Sequence, residues 1–392
     1  MFLDLGGTIR ACSPSETLAR LKPLLPSFGI TRVMGQEGLA EVKIPVSIAC
    51  RPNSRFISTS QGKGITRELA DISAIMESIE SFHSERVPPP AIIASVVELR
   101  RASRRFIHPA SLTPLPGASF RDDDAPIGWI ELEHLPSGEP VLVPRHYLSM
   151  DTTQPRTETA TRGLMVTTNG LASGNTVEEA LVHGIYELIE RDSEFEYERL
   201  PPAERRSRRV DIASVRGLSS HVDQLISLLE EAGMAMGIDA MHGKLEVPCF
   251  MARISTKGAP DPMLAKGRGA HPLPEIALSR AITEAVQCRI TLISGSRDDT
   301  FPWIYNRQGP AEGGRERVED TCPLHMADVP RPPRFESFTE TLRWTLARLE
   351  HHGLTETCFF NHQRPEYGNV PVVSVVCPGL RMVIAEHMKA ER

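Results

Sequence analysis

One helical pattern occurs three times in this chain. In each copy an alanine is followed seven residues later by Glu, and three residues after that by Glu or Gln: Ala70, Glu77 and Glu80; Ala180, Glu187 and Glu190; Ala277, Glu284 and Gln287. A further Glu stands two residues before each alanine, at Glu68, Glu178 and Glu275. Residues three apart project from one helix face, so each late pair presents its polar heads to a common region. The surroundings are apolar, with Ile72, Ala74, Ile75, Met76 and Ile79 in the first copy and Leu181, Ile185, Tyr186, Leu188 and Ile189 in the second. Burying one ionised carboxylate without compensation costs several kcal/mol, and gathered carboxylates also repel. The pattern therefore requires metal ions or bound basic groups.

At 392 residues the chain can bury a large core, and its formal net charge of -6 gives no basic footprint for nucleic acid. The local cluster Arg205, Arg206, Arg208 and Arg209 follows Pro201 and Pro202 and reads as a solvated loop or helix start. No apolar run approaches the ~20 residues needed to span a bilayer. The N-terminus lacks the charged and then apolar pattern of a secretory signal, so no membrane association and a cytoplasmic location are expected. The seven cysteines are scattered without a Cys-x-x-Cys pair and read as reduced, mostly buried thiols. Thirteen histidines show no His-Glu-x-x-His arrangement, which leaves zinc without its usual ligands.

Short apolar stretches at Ile44 to Ala49, Val141 to Pro144, Pro248 to Ile254 and Val370 to Val376 are strand candidates. Ser219 to Ala232 has helical apolar spacing, with Gly233 as its stop. Thr113 through Pro126 is rich in turn residues, and a polar segment from about Asn306 to Pro333 reads as a lid or an insertion. Strands and helices intermingle without the alternation of a doubly wound sheet, so the expected class is α+β, built around the three related helices.

The middle copy is the most informative. At about 100° per residue, Glu179, Glu187 and Glu190 fall within roughly 80° of one another around a helix. Thr176 and Glu179 also have capping-box spacing, so Glu179 reads equally as a cap or a ligand. Glu187 and Glu190 lie too deep in the helix to be caps. In the first copy Ser73, Glu77 and Glu80 stand at i, i+4 and i+7, one face again. Ahead of them Gln61-Gly-Lys63-Gly64 reads as a short turn, taken alone an ordinary one, or with its neighbours one where backbone N–H groups and an ammonium meet phosphate; it lacks the Walker spacing. The third copy supplies Glu284 and Gln287, with Arg280 on about the same face. Magnesium takes hard oxygen ligands and shares them with nucleotide phosphates. The residues thus lead to a magnesium-dependent nucleotide enzyme and leave its acceptor open.

These segments resemble the YcaO family of ATP-dependent enzymes that activate backbone amides. The resemblance rests on Gln-Gly-Lys-Gly with Ser73-x-x-x-Glu77-x-x-Glu80; on Thr-Asn-Gly-Leu-Ala-Ser-Gly-Asn175-Thr-x-x-Glu179 with Glu187-x-x-Glu190-Arg191; and on Gly-Ala-His271 through Glu284-Ala-Val-Gln287. It covers most of residues 1 to 385, and the ordered set is specific where no single piece is. The resemblance implies Mg²⁺ ligands at Glu77, Glu80, Glu179, Glu187 and Glu190, with Glu187, Glu190 and Arg191 catalytic. It places Lys63, Ser73, Asn175, Glu179, Arg191, Glu284 and Gln287 around ATP, together with Arg10 and Thr17 near the start of the chain. It also implies a segment 1–58 contributing to the nucleotide site and a catalytic domain over 59–392.

Such enzymes phosphorylate a peptide carbonyl oxygen, and a nucleophile then displaces phosphate, giving an azoline from a Cys, Ser or Thr side chain or a thioamide from a sulfide equivalent. Azoline-forming members often end in Pro-x-Pro-x-Pro, whereas this chain ends His387-Met-Lys-Ala-Glu-Arg392. Gly29-Ile-Thr-Arg32, Ile44-Pro-Val and Arg51-Pro-Asn53 resemble members found beside a TfuA partner protein, some of which make thioamides. The expectation is thioamide formation on a peptide or protein substrate with a TfuA-like partner. An azoline-forming cyclodehydratase is the alternative within enzymes, and a silent nucleotide-binding scaffold is the alternative of another class. A homodimer is compatible with each. The nucleophile is expected from outside the chain, with Cys288 the closest internal candidate.

Overall fold

Each copy of the repeat folds as a strand that runs into a helix, and glycine explains why. The computed structural model describes residues 2–36, 38–118, 120, 122–154, 163–259, 263–300, 305 and 323–383. The strands in chain order are β1 (Leu3–Asp4), β2 (Ile9–Arg10), β3 (Arg32–Gly35), β4 (Val46–Cys50), β5 (Thr59–Lys63), β6 (Ile92–Ala94), β7 (Ile127–His134) and β8 (Pro140–Pro144). They continue with β9 (Leu171–Ser173), β10 (Arg209–Val210), β11 (Met234–Ala240), β12 (Cys249–Thr256), β13 (Ala265–Ala270), β14 (Cys358–Asn361) and β15 (Val372–Val376). The helices are α1 (Pro14–Leu21), α2 (Arg67–Ser84), α3 (Val96–Arg101), α4 (Val177–Arg199), α5 (Pro202–Ser207), α6 (Ser220–Glu231), α7 (Pro274–Ser294) and α8 (Phe338–His351).

The chain divides into two compact units that do not follow its linear order. The first comprises Met1–Asn53, Ile57–Ser78 and Glu196–Glu336, and the second Ser54–Phe56, Ile79–Phe195 and Ser337–Arg392. The first unit therefore draws on residues from both sides of the 58/59 division expected from sequence. It holds a four-stranded sheet in the order β10-β11-β12-β13, a three-stranded sheet β3-β4-β5 and the pair β1-β2. The second holds the order β6-β7-β14-β15-β9, with β8 on β7. Every ladder between these strands is antiparallel, as in β12 on β13, where Phe250 faces Gly269 and Ala252 faces Gly267. This is the mixed α+β arrangement that the sequence implies.

The core of the first unit joins Phe250, Ala252 and Ile254 of β12 to Val222, Leu225, Ile226 and Leu229 of α6 and Ala277, Ala281 and Ala285 of α7. A side chain on Gly267 would overlap the Ala281 carbonyl and the Ala285 amide, and one on Gly269 the Ala277 carbonyl. Strand β13 thus lies with its backbone directly on the alanine stripe of α7. Gly62 of β5 stands in the same relation to Ala70 and Ala74 of α2, and Gly174, just after β9, to Ala180 of α4. The alanine of each repeat is the helix side of this crossing. The Gln61-Gly-Lys-Gly64 stretch is accordingly an extended strand end and not a phosphate turn, since its glycines serve close packing.

The helices also start in register. Thr66, Thr176 and Leu273 each accept a backbone bond from the repeat alanine four residues on, at 3.1 Å in all three cases. Thr66 Oγ1 and Thr176 Oγ1 add side-chain caps to Leu69 N and Glu179 N. Ser219 caps α6 as the sequence suggests. The basic cluster departs from expectation: Arg209 enters β10 and is buried, so only part of the cluster is solvated. In the second unit Trp129 anchors a core with Val96, Leu99, Ile127 and Leu142, and its indole N–H donates to Ala94 O at 2.9 Å. Residues 306–322, Cys322 among them, and the tail 387–392 lie outside the described residues.

Candidate active site

In the first unit the late face of α7 is answered by β5. Lys63 Nζ sits 2.8 Å from Glu284 Oε2, and Arg268 N donates to Glu284 Oε1 at 3.2 Å. Gln287 Nε2 donates to Gln61 O at 2.9 Å, while its Oε1 is buried with no hydrogen-bond partner among the described residues. Arg280 Nε is in the same state. Such orphaned polar atoms carry a desolvation cost of about 1–3 kcal/mol each unless a ligand meets them. The glycines of β13 lay that strand on α7, whereas β5, which packs on α2 through Gly62, meets α7 through the Lys63 and Gln61 contacts.

Glu77 of α2 also belongs to this unit. Burial pushes its carboxyl above the ordinary range, Arg297 and then Lys63 pull it back, and Glu284 and Asp299 reinforce the rise. Arg297 Nη1 lies 3.5 Å from Glu77 Oε1. Ser73 is half-buried on the same helix. Thr17 is buried in α1, where its hydroxyl donates to Ser13 O at 3.0 Å. Arg10 ends β2 and acts with Arg280 on His271, whose imidazole is held down to about 3 by burial first and by those two guanidinium groups in addition. The His271 Nδ1 accepts from Leu273 N at 3.0 Å at the start of α7, which fixes it as a neutral acceptor.

In the second unit Glu80 accepts from Ser173 Oγ at 2.6 Å. Asn175 and Glu179 are both buried, and Asn175 Nδ2 reaches the Glu179 carboxylate at 3.3 Å. Glu190 is 3% exposed, so its charge cannot be left to solvent. Arg191 answers it: its guanidinium lies 3.7 Å from Glu190, 3.9 Å from Glu187 and 3.9 Å from Glu194. Its long side chain folds back over the helix to span neighbours that the backbone points apart.

Residues that sequence reading passed over are Glu194, Ser173 as the Glu80 partner, and Arg297. Glu194 lies four residues after Glu190 and was within reach of the same spacing rule. Arg297 lies beyond α7 without a motif, and only the fold brings it to Glu77. Cys288 packs against the first unit's core, and burial raises its thiol above the ordinary range, which keeps it from being a ready thiolate.

Among the described residues no three His, Cys, Asp or Glu side chains converge as a ready-made metal site. The acidic groups instead have basic, hydroxyl or amide neighbours. The donor chemistry fits a magnesium nucleotide nonetheless: carboxylate and amide oxygens suit a hard cation that takes only one or two protein carboxylates and completes its shell with phosphates and water. The orphaned Gln287 Oε1 and Arg280 Nε are an acceptor and a donor available to a nucleotide.

Comparison with known proteins agrees with this chemistry. Residues 61–381 match the family model described as YcaO cyclodehydratase, ATP- and Mg²⁺-binding. A protein from Rhizobium leguminosarum bv. trifolii, described as an uncharacterized protein in the tfuA 3′ region, is 34% identical over 96% of this chain and 89% of its own length. An uncharacterized protein of Methanothermobacter thermautotrophicus is 33% identical over 95% of both chains. Among solved structures, YcaO from Methanopyrus kandleri bound with AMPPCP and Mg²⁺ has a TM-score of 0.73 at 23% identity, covering 96% of this chain and 94% of that one. A heterocyclase in complex with substrate and cofactor has a TM-score of 0.74 at 21% identity, over 95% of this chain and 53% of that one. At these identities the structures show a shared fold. No helix among the described residues is long and apolar enough to cross a membrane. This chain belongs to the YcaO family, whose members are ATP- and Mg²⁺-binding, peptide-modifying enzymes.

Proposed function

We propose that this chain activates a backbone amide of a peptide or protein substrate by ATP-dependent phosphorylation of its carbonyl oxygen, leading to a thioamide. The carbonyl oxygen attacks the γ-phosphorus of ATP and ADP leaves. A sulfide equivalent then adds to the activated carbon, and inorganic phosphate departs with the original oxygen. Magnesium, when bound, neutralises charge on the moving phosphoryl group. The chain's own residues bind and orient. Glu77, Glu80, Glu179, Glu187 and Glu190 would hold the metal ions. Arg10, Thr17, Lys63, Ser73, Asn175, Arg191, Glu284 and Gln287 would line the nucleotide, the 1–58 segment contributing the first two. Glu187, Glu190 and Arg191 would carry the catalytic charge balance.

The observation that carries the thioamide reading is the tfuA-region relative, which matches nearly the whole chain. It also supports a TfuA-like partner that delivers sulfur. The cyclodehydratase description of the family favours azoline formation as the second reading. Mass spectrometry of a candidate peptide incubated with enzyme, partner, ATP, Mg²⁺ and sulfide separates the two. Exchange of one oxygen for sulfur is expected. Loss of one water from a peptide containing Cys, Ser or Thr would replace the thioamide reading by the azoline one.

A further inference from the structure

In the first unit the loop after α7 is tied down on both sides of one arginine. Thr59 Oγ1 donates to Ser296 O at 2.8 Å, and Ser58 Oγ donates to Asp298 Oδ1 at 3.0 Å while Ser58 N donates to the second oxygen of that carboxylate. Between these tethers stands Arg297. Asp299 grips its guanidinium at two points, with Nε to Oδ1 at 2.9 Å and Nη2 to Oδ2 at 2.7 Å. The remaining nitrogen, Nη1, reaches Glu77 Oε1 at 3.5 Å.

The two contacts differ in kind. A bidentate guanidinium–carboxylate pair is the strong, orienting arrangement, whereas a single contact at 3.5 Å is at the limit of a hydrogen bond. The contact to Glu77 can therefore break while Arg297 stays in place. We propose that Arg297 is the resident counter-cation and positioning residue of Glu77, a contact that a divalent cation arriving at Glu77 displaces without moving the arginine. This rests on the assignment of Glu77 to the metal site. Its consequence is selectivity: a fixed positive charge beside the metal position repels a bare cation, and is offset when the cation arrives with polyphosphate.

Mn²⁺ binding to the nucleotide-free, full-length protein, followed by electron paramagnetic resonance or calorimetry, tests this without turnover. Arg297→Gln should bind Mn²⁺ alone about tenfold tighter than wild type, the scale expected for removing one nearby, partly screened charge, and should bind MgATP more weakly. Asp299→Asn loosens the clamp, lets Arg297 close on Glu77 and should weaken Mn²⁺ binding severalfold. Opposite signs in the two variants cannot come from general structural damage. In a Glu77→Gln background the effect of Arg297→Gln on Mn²⁺ affinity should shrink, because the competition for the carboxylate is gone and only charge repulsion is left. Unaltered or weaker Mn²⁺ binding in a folded Arg297→Gln overturns the inference, as does an effect of undiminished size without Glu77. Should Arg297→Gln not fold, tighter or unchanged binding in Asp299→Asn overturns it. Wild type that binds neither Mn²⁺ nor MgATP overturns the functional reading and this inference together. MgATP binding with Mn²⁺ affinity indifferent to Arg297 overturns this inference alone.

Discussion

Helices α4 and α7 begin alike and finish differently. Both start three residues before an alanine that packs closely against a glycine in or just after a strand, and both place polar residues seven and ten positions beyond it. On α4 those positions are Glu187 and Glu190, answered by Arg191 of the same helix. On α7 they are Glu284 and Gln287, answered by Lys63 and Gln61 of strand β5. The strand–helix crossing is thus the common scaffold, and the late face is free to differ in charge. One helix carries an acid cluster with an internal cation, and the other a carboxylate and amide with a cation supplied from a distant stretch of sequence.

The largest way to break this comparison is to fill a crossing. An alanine at Gly267 would overlap backbone atoms of α7, whereas one at Gly174 would lie 2.7 Å from Ala180 N on α4. Gly267→Ala should cost about 3 kcal/mol or more, Gly174→Ala less. Gly243, with nothing within 4 Å of an added Cβ, is the control. Chemical denaturation of the three variants checks the order, and equal losses at all three would remove the crossing as the shared device.

Next in size come the acids of α4. Glu187→Gln and Glu190→Gln should fold yet lose about a hundredfold or more of ATP-dependent turnover, read as phosphate release with a competent peptide. Wild-type rates in both would make that face structural. Smaller is the pH response around α7. His271 is held at about 3 in the folded chain against an ordinary 6.5. Its neutral form is favoured by folding, so its contribution is complete above about pH 6.5 and is lost as pH falls toward 3. His271→Gln should flatten the acid-side decline in unfolding free energy, by on the order of 2 kcal/mol between pH 7 and 4, read by chemical denaturation. The second unit has a matching pair, His83 at about 4 and His362 well below the ordinary range, both by burial first. His83→Gln should flatten the same window independently.

The smallest expected effect is at Cys288. Its buried, raised thiol packs against the core, so Cys288→Ala should keep product formation within a few fold when peptide, ATP, Mg²⁺ and the sulfur donor are supplied. Complete loss of product with ATP binding intact would assign this thiol a part in the chemistry.

By itself the sequence determined the three helices, their common start, the acidic faces and the α+β class. Helix geometry is local: spacings of three, four and seven residues convert directly into shared faces, and apolar flanks reveal burial without knowledge of what covers it. The same locality hid the reason for the repeated alanine and turned Gly62-Lys63-Gly64 into a turn, because only a helix backbone lying on β5 explains glycine in an extended strand. Tertiary structure alone decided which cation meets which acid. Lys63 and Glu284, and likewise Glu77 and Arg297, are more than 200 residues apart in sequence. Side-chain charges act over a few ångströms, and pairs so far apart along the chain become neighbours only when the strands and helices pack.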